Sequence, residues 1–330
     1  MSVSPNRQRL RDIENTGFGP NSSVEGGRLI NSDGSTNLKK RGIPIWERTS
    51  VYHTLIRMKP RHFFFFVLLW YTSINLIFAL IYFLTGVEHL VGGDQAQTYF
   101  DKFMEAFFFS SQTLTTVGYG RVAPSGMLTN SIASIESLVG ILIFAVMTGL
   151  IYGRFSRPRA YLLFSPNILV SPYKDGKALM LRVATYKNNH LTDVDAQLTL
   201  AMHVNEDGKI VTRFYPLKLE IQKVNSLALS WTIVHAINEE SPLYNYTQED
   251  VVNTKMEVIV IIKAFDDHFS NTVQQRTSYT YQQLIYGARF LPMFNRAADG
   301  EYTLLELDKI NALEMVSFPE NAHHHNGAKA

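Results

Sequence analysis

The chain has 330 residues, a formal net charge of +2 and no cysteine. That length suggests about two domains. The near-neutral charge gives no reason to expect nucleic acid as a partner, and the missing thiols exclude disulfides, thiolate zinc sites and a cysteine nucleophile. Hydrophobic residues make up 46%, an ordinary average, so their distribution along the chain carries the information.

Residues 1–43 are rich in Gly, Ser, Asn and Arg without apolar periodicity. They read as a mobile cytosolic arm, and no signal peptide is expected because the first apolar run begins past residue 60. Over 44–58, Trp46, Val51, Tyr52, Leu55 and Ile56 recur at helical spacing among Glu47, Arg48, His53 and Arg57. This pattern fits an amphipathic helix lying on a membrane surface; a surface helix of a soluble domain has the same signature. Phe63 to Thr85 contains no charged residue. As a helix it reaches about 34 Å, enough to cross a hydrocarbon core of ~30 Å.

Residues 86–100 are mostly polar and read as an extracellular loop. Phe103 to Leu114 is a largely apolar helix of 12 residues, too short to cross. It leads into Thr115-Thr116-Val117-Gly118-Tyr119-Gly120. Two glycines alternating with larger residues open backbone angles closed to other residues, so successive carbonyls can point the same way. Four such segments around one axis stack rings of oxygens that replace the water shell of a potassium ion, with the Thr116 hydroxyl adding a ring. Such a non-helical segment is tolerated at membrane depth only inside protein or beside a water-filled cavity. Met127 to Phe155 is the second long apolar helix, with Glu136 its only acid and Gly140 and Gly149 inside it.

Lys39, Lys40, Arg41, Arg48, Arg57, Lys59 and Arg61 precede the first span, and Arg154, Arg157 and Arg159 follow the second. The connecting segment holds only Lys102 and Arg121. The positive-inside rule places both termini in the cytoplasm. No span carries a regular arginine series, so no voltage sensor is expected.

From about residue 160 the period changes to two. Val194, Ala196, Leu198, Leu200 and Met202 alternate with Asp193, Asp195, Gln197 and Thr199. Further strand-like runs are 178–185, 210–215, 226–234, 256–265 and 272–281. Asn205 to Gly208 is a hairpin signal, and a brief helix is expected near 247–252. An antiparallel β-sandwich over 160–310 follows, with a flexible tail at 311–330 in which His323, His324 and His325 offer metal capture or nothing. The expected fold class is thus α+β: two transmembrane helices (about 61–85 and 127–155) with a re-entrant helix (103–114) and filter (115–120) within 59–159, then a cytosolic sandwich. No spacing marks a nucleophile, resident metal or phosphate loop, so no enzyme and no cofactor are expected.

The chain resembles the inward-rectifier potassium channels, most closely their bacterial members (KirBac), over about residues 40–310. The resemblance rests on Ala106-Phe107-Phe108-Phe109-Ser110 running into Thr115–Gly120, and on Gly149-Leu150-Ile151-Tyr152-Gly153-Arg154-Phe155-Ser156-Arg157-Pro158-Arg159-Ala160. In the sandwich it rests on Leu181-Arg182-Val183, Ser230-Trp231-Thr232-Ile233-Val234-His235 with Ser241-Pro242-Leu243, and Arg276-Thr277-Ser278-Tyr279 with Gly287-Ala288-Arg289-Phe290.

The resemblance implies a homotetramer in a bacterial inner membrane, with an immunoglobulin-like sandwich extending the pore. Thr116, Val117, Gly118, Tyr119 and Gly120 then form the potassium site, supported by Thr115, Gln112 and Glu136. Phe144, Thr148 and Tyr152 line the pore. Tyr152 stands where family inner helices cross, so it is either a gate or an interfacial tyrosine. Arg57, Lys59, Arg61, Arg154, Arg157 and Arg159 match basic residues that meet anionic, phosphoinositide-type headgroups, at about 1 kcal/mol each; the same charges also fix topology. The sign of any lipid effect stays open.

Two positions, Phe144 and Gln112, depart from the family pattern. Phe144 occupies the place of the acid that attracts blocking magnesium or polyamine in strong rectifiers, which implies weak rectification. Asp193 matches a cytosolic pore acid. Gln112 replaces a glutamate, so filter support becomes an uncharged hydrogen bond. Glu136 is either a functional carboxylate or a structural support. A membrane-anchored binding or sensing module is the alternative reading; it accounts for the sandwich but not for the filter segment.

Overall fold

A computed structural model describes residues 28–39, 41–44, 47, 50–93, 98–206, 209–297 and 300–318. The chain divides into two compact units, Lys40–Arg157 and Met1–Lys39 with Pro158–Ala330.

The first unit is helical. Helix α1 (Val51–Arg57) starts at Ser50, whose hydroxyl accepts from His53 N–H. It covers the second half of the expected 44–58 segment; positions 45, 46, 48 and 49 lie outside the described residues. Helix α2 (Pro60–Thr85) has proline at its first turn, where no N–H is needed, and stops at Gly86 with φ +109°. Of its buried residues, Asn75, Ala79 and Tyr82 share one face, while Phe63 packs separately on Met147 and Leu150. Phe64, Phe65, Leu68, Leu69, Ile77 and Leu84 are exposed on other faces, as a lipid-facing helix requires.

Strand β1 (Leu90–Val91) pairs with β2 (Ala123–Pro124) on the far side of the filter segment. Between them runs α3 (Tyr99–Leu114), one turn longer than the sequence reading. The extra turn comes from a reciprocal cap between Thr98 and Asp101, a Thr-x-x-Asp signal ahead of the apolar run. Helix α4 (Met127–Phe155) has the expected bounds. Both α2 and α4 are long and apolar enough to cross a membrane. At Gly140 a Cβ would stand 2.0 Å from the Leu114 carbonyl oxygen, so only glycine admits this approach of α4 to the end of α3.

The second unit is a β-sandwich. One sheet contains β3 (Leu162–Phe164), β4 (Ile168–Tyr173), β5 (Gly176–Thr185), β9 (Ser230–Ile237) and β12 (Leu284–Tyr286). The other contains β6 (Leu191–Glu206), β7 (Lys209–Leu217), β8 (Lys223–Ser226), β10 (Glu257–Asp266) and β11 (Asn271–Thr280). Val194, Ala196, Leu198, Leu200 and Met202 are no more than 3% exposed; each large member contributes about 1.5–3 kcal/mol by burial. Helix α5 (Gln248–Asn253) is capped by Thr247.

Four expectations change. The sandwich is not wholly antiparallel: β12 runs parallel to β4. The run 226–234 is broken at Leu227–Leu229, and its start belongs to β8 rather than β9. Residues 311–318 are not free tail, because β14 (Leu313–Met315) pairs with β13 (Ala288–Phe290) and Val316 N–H donates to Gly287 O at 2.7 Å. His323 to His325 lie outside the described residues, as do Asp207 and Gly208 of the hairpin signal.

The arm, finally, is ordered over 28–39. Leu29 and Ile30 are buried against Ala201, Phe214 and Ile259. Their N–H groups donate to the buried Glu257 carboxylate at 2.8 and 3.2 Å. Ser278 and Thr277 hydroxyls donate to Ile30 O and Ser32 O. Two apolar side chains and a set of backbone bonds leave no periodicity in sequence, which is why composition reads this stretch as mobile.

Candidate functional site

The filter segment begins at the C-terminus of α3, where Thr115 still has helical angles. Beyond it, Thr116, Gly118 and Gly120 have φ of +58°, +53° and +80°. Every second residue is thus left-handed. The glycines accept this without cost. Thr116 is β-branched, and its strain is of order 1–3 kcal/mol. Sequence alone did not place the alternation at Thr116.

Gln112 offsets that strain. Its main-chain carbonyl accepts from the N–H of Val117 at 3.0 Å and of Gly118 at 3.3 Å. Its side-chain oxygen accepts from Tyr119 N–H at 3.1 Å. Three such bonds, about 0.5–1.5 kcal/mol each, match the strain in size. Thr116 N–H donates to Thr113 O, and the Thr115 hydroxyl turns back to Ser111 O. Successive amides are therefore drawn toward α3. Among the described residues no hydrogen bond reaches the carbonyls of Thr116 to Tyr119. The whole segment is exposed in the protomer.

Behind α3 lies a buried polar cluster. Glu136 on α4 is fully buried. One carboxylate oxygen accepts from the Ser110 hydroxyl at 2.5 Å, the other from the Tyr82 hydroxyl at 2.6 Å. Asn75 lies at 3.3 Å from the Ser110 oxygen, and Tyr71 bonds Ser111 at 2.7 Å. Glu136 thereby ties α3, α2 and α4 together. The acid was visible in sequence; its partners on two other helices were not.

Phe144, Thr148 and Tyr152 follow one another at four-residue intervals on α4 and are all exposed in the protomer. The Thr148 hydroxyl donates to Phe144 O at 2.8 Å, which leaves this face apolar. Met147 and Leu150 on the opposite face pack on Phe63. Of the basic residues, Arg57, Lys59, Arg61, Arg157 and Arg159 are exposed and form no ion pair among the described residues. Arg154 differs. It donates to the carbonyls of Leu55 and Met58 at 3.3 and 2.5 Å and lies over the Phe63 ring at 4.9 Å. Its guanidinium ties α1 to the end of α4 and is not free for a headgroup.

Asp193 sits at φ +49° where β6 carries one extra residue against β10. It is ion-paired with Lys223 at 2.9 Å, so its charge is locally balanced. The sandwich motifs serve the fold. Arg182 is buried, stacked over Phe290 and bonded to Leu291 O at 2.8 Å. His235 donates from Nδ1 to Lys218 O at 2.6 Å and accepts at Nε2 from the Ser241 hydroxyl at 2.8 Å. Burial holds its pKa below the ordinary histidine value.

Comparison with known proteins agrees with this geometry. Residues 30–158 match the inward rectifier potassium channel transmembrane domain, and 162–330 match the inward rectifier potassium channel C-terminal domain. The chain is 33% identical over 282 residues to the inward rectifier potassium channel Kirbac3.1 of Paramagnetospirillum magnetotacticum, covering 84% of this chain and 92% of that one. It is 28% identical over 303 residues to the G protein-activated inward rectifier potassium channel 2 of Pongo abelii, with coverages of 83% and 69%. It is 31% identical over 239 residues to the ATP-sensitive inward rectifier potassium channel 12 of Gallus gallus, covering 66% and 55%. Filter segment, flanking spans, sandwich and relatives converge: this integral membrane protein belongs to the inward rectifier potassium channel family, a family of channels and not of enzymes.

Proposed function

We propose that four copies of this chain assemble a potassium-selective pore in a bacterial inner membrane, with both termini cytoplasmic. One observation carries the reading: the left-handed angles at 116, 118 and 120, with the intervening amides held by Gln112. That geometry supports a filter in which the Thr116, Val117, Gly118 and Tyr119 oxygens of four copies face a shared axis and replace an ion's hydration shell.

The rest of the reading follows the site. Tyr152 closes the inner mouth as a ring of four bulky side chains, by dewetting. Arg57, Lys59, Arg61, Arg157 and Arg159 meet anionic headgroups, each worth about 1 kcal/mol, and movement of the cytosolic sandwich couples to the gate. Phe144 puts no charge in the cavity, and Asp193 is offset by Lys223. Block by Mg2+ or polyamine, and hence rectification, is weak.

The test is flux into liposomes from purified protein, with and without anionic phosphoinositide. Potassium or rubidium entry far above sodium, blocked by barium, is the expected result. Equal sodium and potassium entry refutes selectivity, and indifference to the lipid refutes the regulatory part alone.

A further inference from the structure

We infer that Glu105 and Arg121 form a clasp that fixes the outer end of the filter, and that potassium-over-sodium discrimination depends on it. This rests on the potassium-selective pore proposed above. Arg121 directly follows Gly120. Its Nη2 donates to Glu105 Oε1 at 2.9 Å, across 16 residues of chain. The loop so closed contains the last turns of α3 and the whole filter segment.

The pair is asymmetric. The Arg121 side chain is 73% exposed and the Glu105 side chain only 11%. An exposed ion pair is worth little, but a covered carboxylate that loses its partner is costly. Among the described residues, Arg121 is the only cation paired with Glu105. Two glycines pack on the pair, Gly93 on the carboxylate and Gly92 on the Arg121 main chain. At Gly93 a Cβ would lie 2.9 Å from Glu105 Cδ, and at Gly92 it would lie 1.9 Å from the Arg121 carbonyl oxygen. The β1–β2 pairing and the Ser125 N–H bond to His89 O at 2.7 Å close the same corner.

Gln112 cannot do this job. It holds the amides of Val117, Gly118 and Tyr119 and reaches no further. Gly120 has φ +80°, and no atom stands within 4 Å of its notional Cβ. The side-chain contact nearest the outer end of the filter is that of Arg121 with Glu105, beside the β1–β2 pairing. Glu105 lies on the same helix as Gln112, seven residues earlier. Arg121 acts as a positioning residue here, through the carbonyl geometry of its neighbours.

The experiment compares wild type, R121E, E105R, the swap E105R/R121E and the neutral pair E105Q/R121Q in liposomes, measuring the potassium-to-sodium flux ratio. Each single reversal is expected to lower the ratio at least tenfold. The swap, which restores the pair, is expected to return it to within threefold of wild type. If Arg121 acts only as four charges at the mouth, R121E changes both fluxes together, the ratio holds, and the swap behaves like R121E. That result overturns the clasp. Should the single reversals fail to assemble, a selective swap supports the clasp, and a failed swap beside a fully selective E105Q/R121Q overturns it. Loss of discrimination in the wild type itself would sink the potassium-selective reading, whereas a selective wild type with an equally selective R121E sinks only the clasp.

Discussion

Replacing Gly140 by alanine probes how closely the filter depends on the inner helix. The added methyl would lie 2.0 Å from Leu114 O, 2.9 Å from Leu114 C and 3.2 Å from Leu114 Cα. All three are backbone atoms, so no rotamer change relieves the clash. Ordinary contact begins at 3.4 Å, so α4 and α3 must part by about 1.4 Å; overpacking of this kind costs roughly 1–3 kcal/mol or more. Leu114 is the last residue of α3, two positions after Gln112, so the displacement passes directly to the residue that holds the filter amides. Gly149 is the matched control. It lies on the same helix with nothing within 4 Å of its notional Cβ, and alanine there should gain up to about 1 kcal/mol in helix propensity. Thermal stability of purified protein in detergent, together with the potassium-to-sodium flux ratio, reads both. G140A should melt earlier and lose selectivity while G149A holds its stability. A G140A protein that melts with the wild type and stays selective would refute the reasoning.

Further outcomes follow from the same contacts. E136A leaves the Tyr82 hydroxyl without its acceptor and the Ser110 hydroxyl with only the Asn75 oxygens at 3.3 Å; at about 1–3 kcal/mol for a buried group left unsatisfied, it should destabilise by a few kcal/mol, and E136Q by distinctly less. Equal melting of the two would show that the hydroxyl bonds contribute little. Y152A should raise resting flux several-fold, and an unchanged flux with an unchanged lipid response argues against a gate there. His235 is held neutral by burial, its folded pKa below the ordinary 6.5. The unfolded chain therefore binds a proton first as pH falls, so stability is full above pH 6.5 and declines below it. Fluorescence of the buried Trp231 during urea unfolding at stepped pH should show this slope, and it should flatten in H235Q.

What could be read from sequence was what repeats. The alternation at 194–202 and the two long apolar spans gave the sandwich and the membrane crossings, because burial imposes a pattern on the chain. The filter was legible because Gly118 and Gly120 announce left-handed angles. Thr116 adopts the same angles without a glycine, held by contacts that no local pattern encodes. Glu136 was visible as an odd acid, yet its role depends on Ser110 and Tyr82, 26 and 54 residues away. Arg154 looked like its basic neighbours because sequence cannot tell an exposed guanidinium from one spent on the carbonyls of Leu55 and Met58.

The ordered stretch at 28–39 carries a consequence for how the chain is built. Leu29 meets Glu257 across 228 positions, and Arg28 meets Ser278 across 250. Both crossings of the bilayer lie between these partners. Residues that touch must end on the same side of the membrane, so the number of crossings between them is even, whatever the surrounding charges favour. The stretch precedes in the chain every sandwich strand that it docks on, with only its own Ile30–Thr36 bridge to pair it before then. Its docking needs partners as late as Ser278, and so records that both spans have already been threaded.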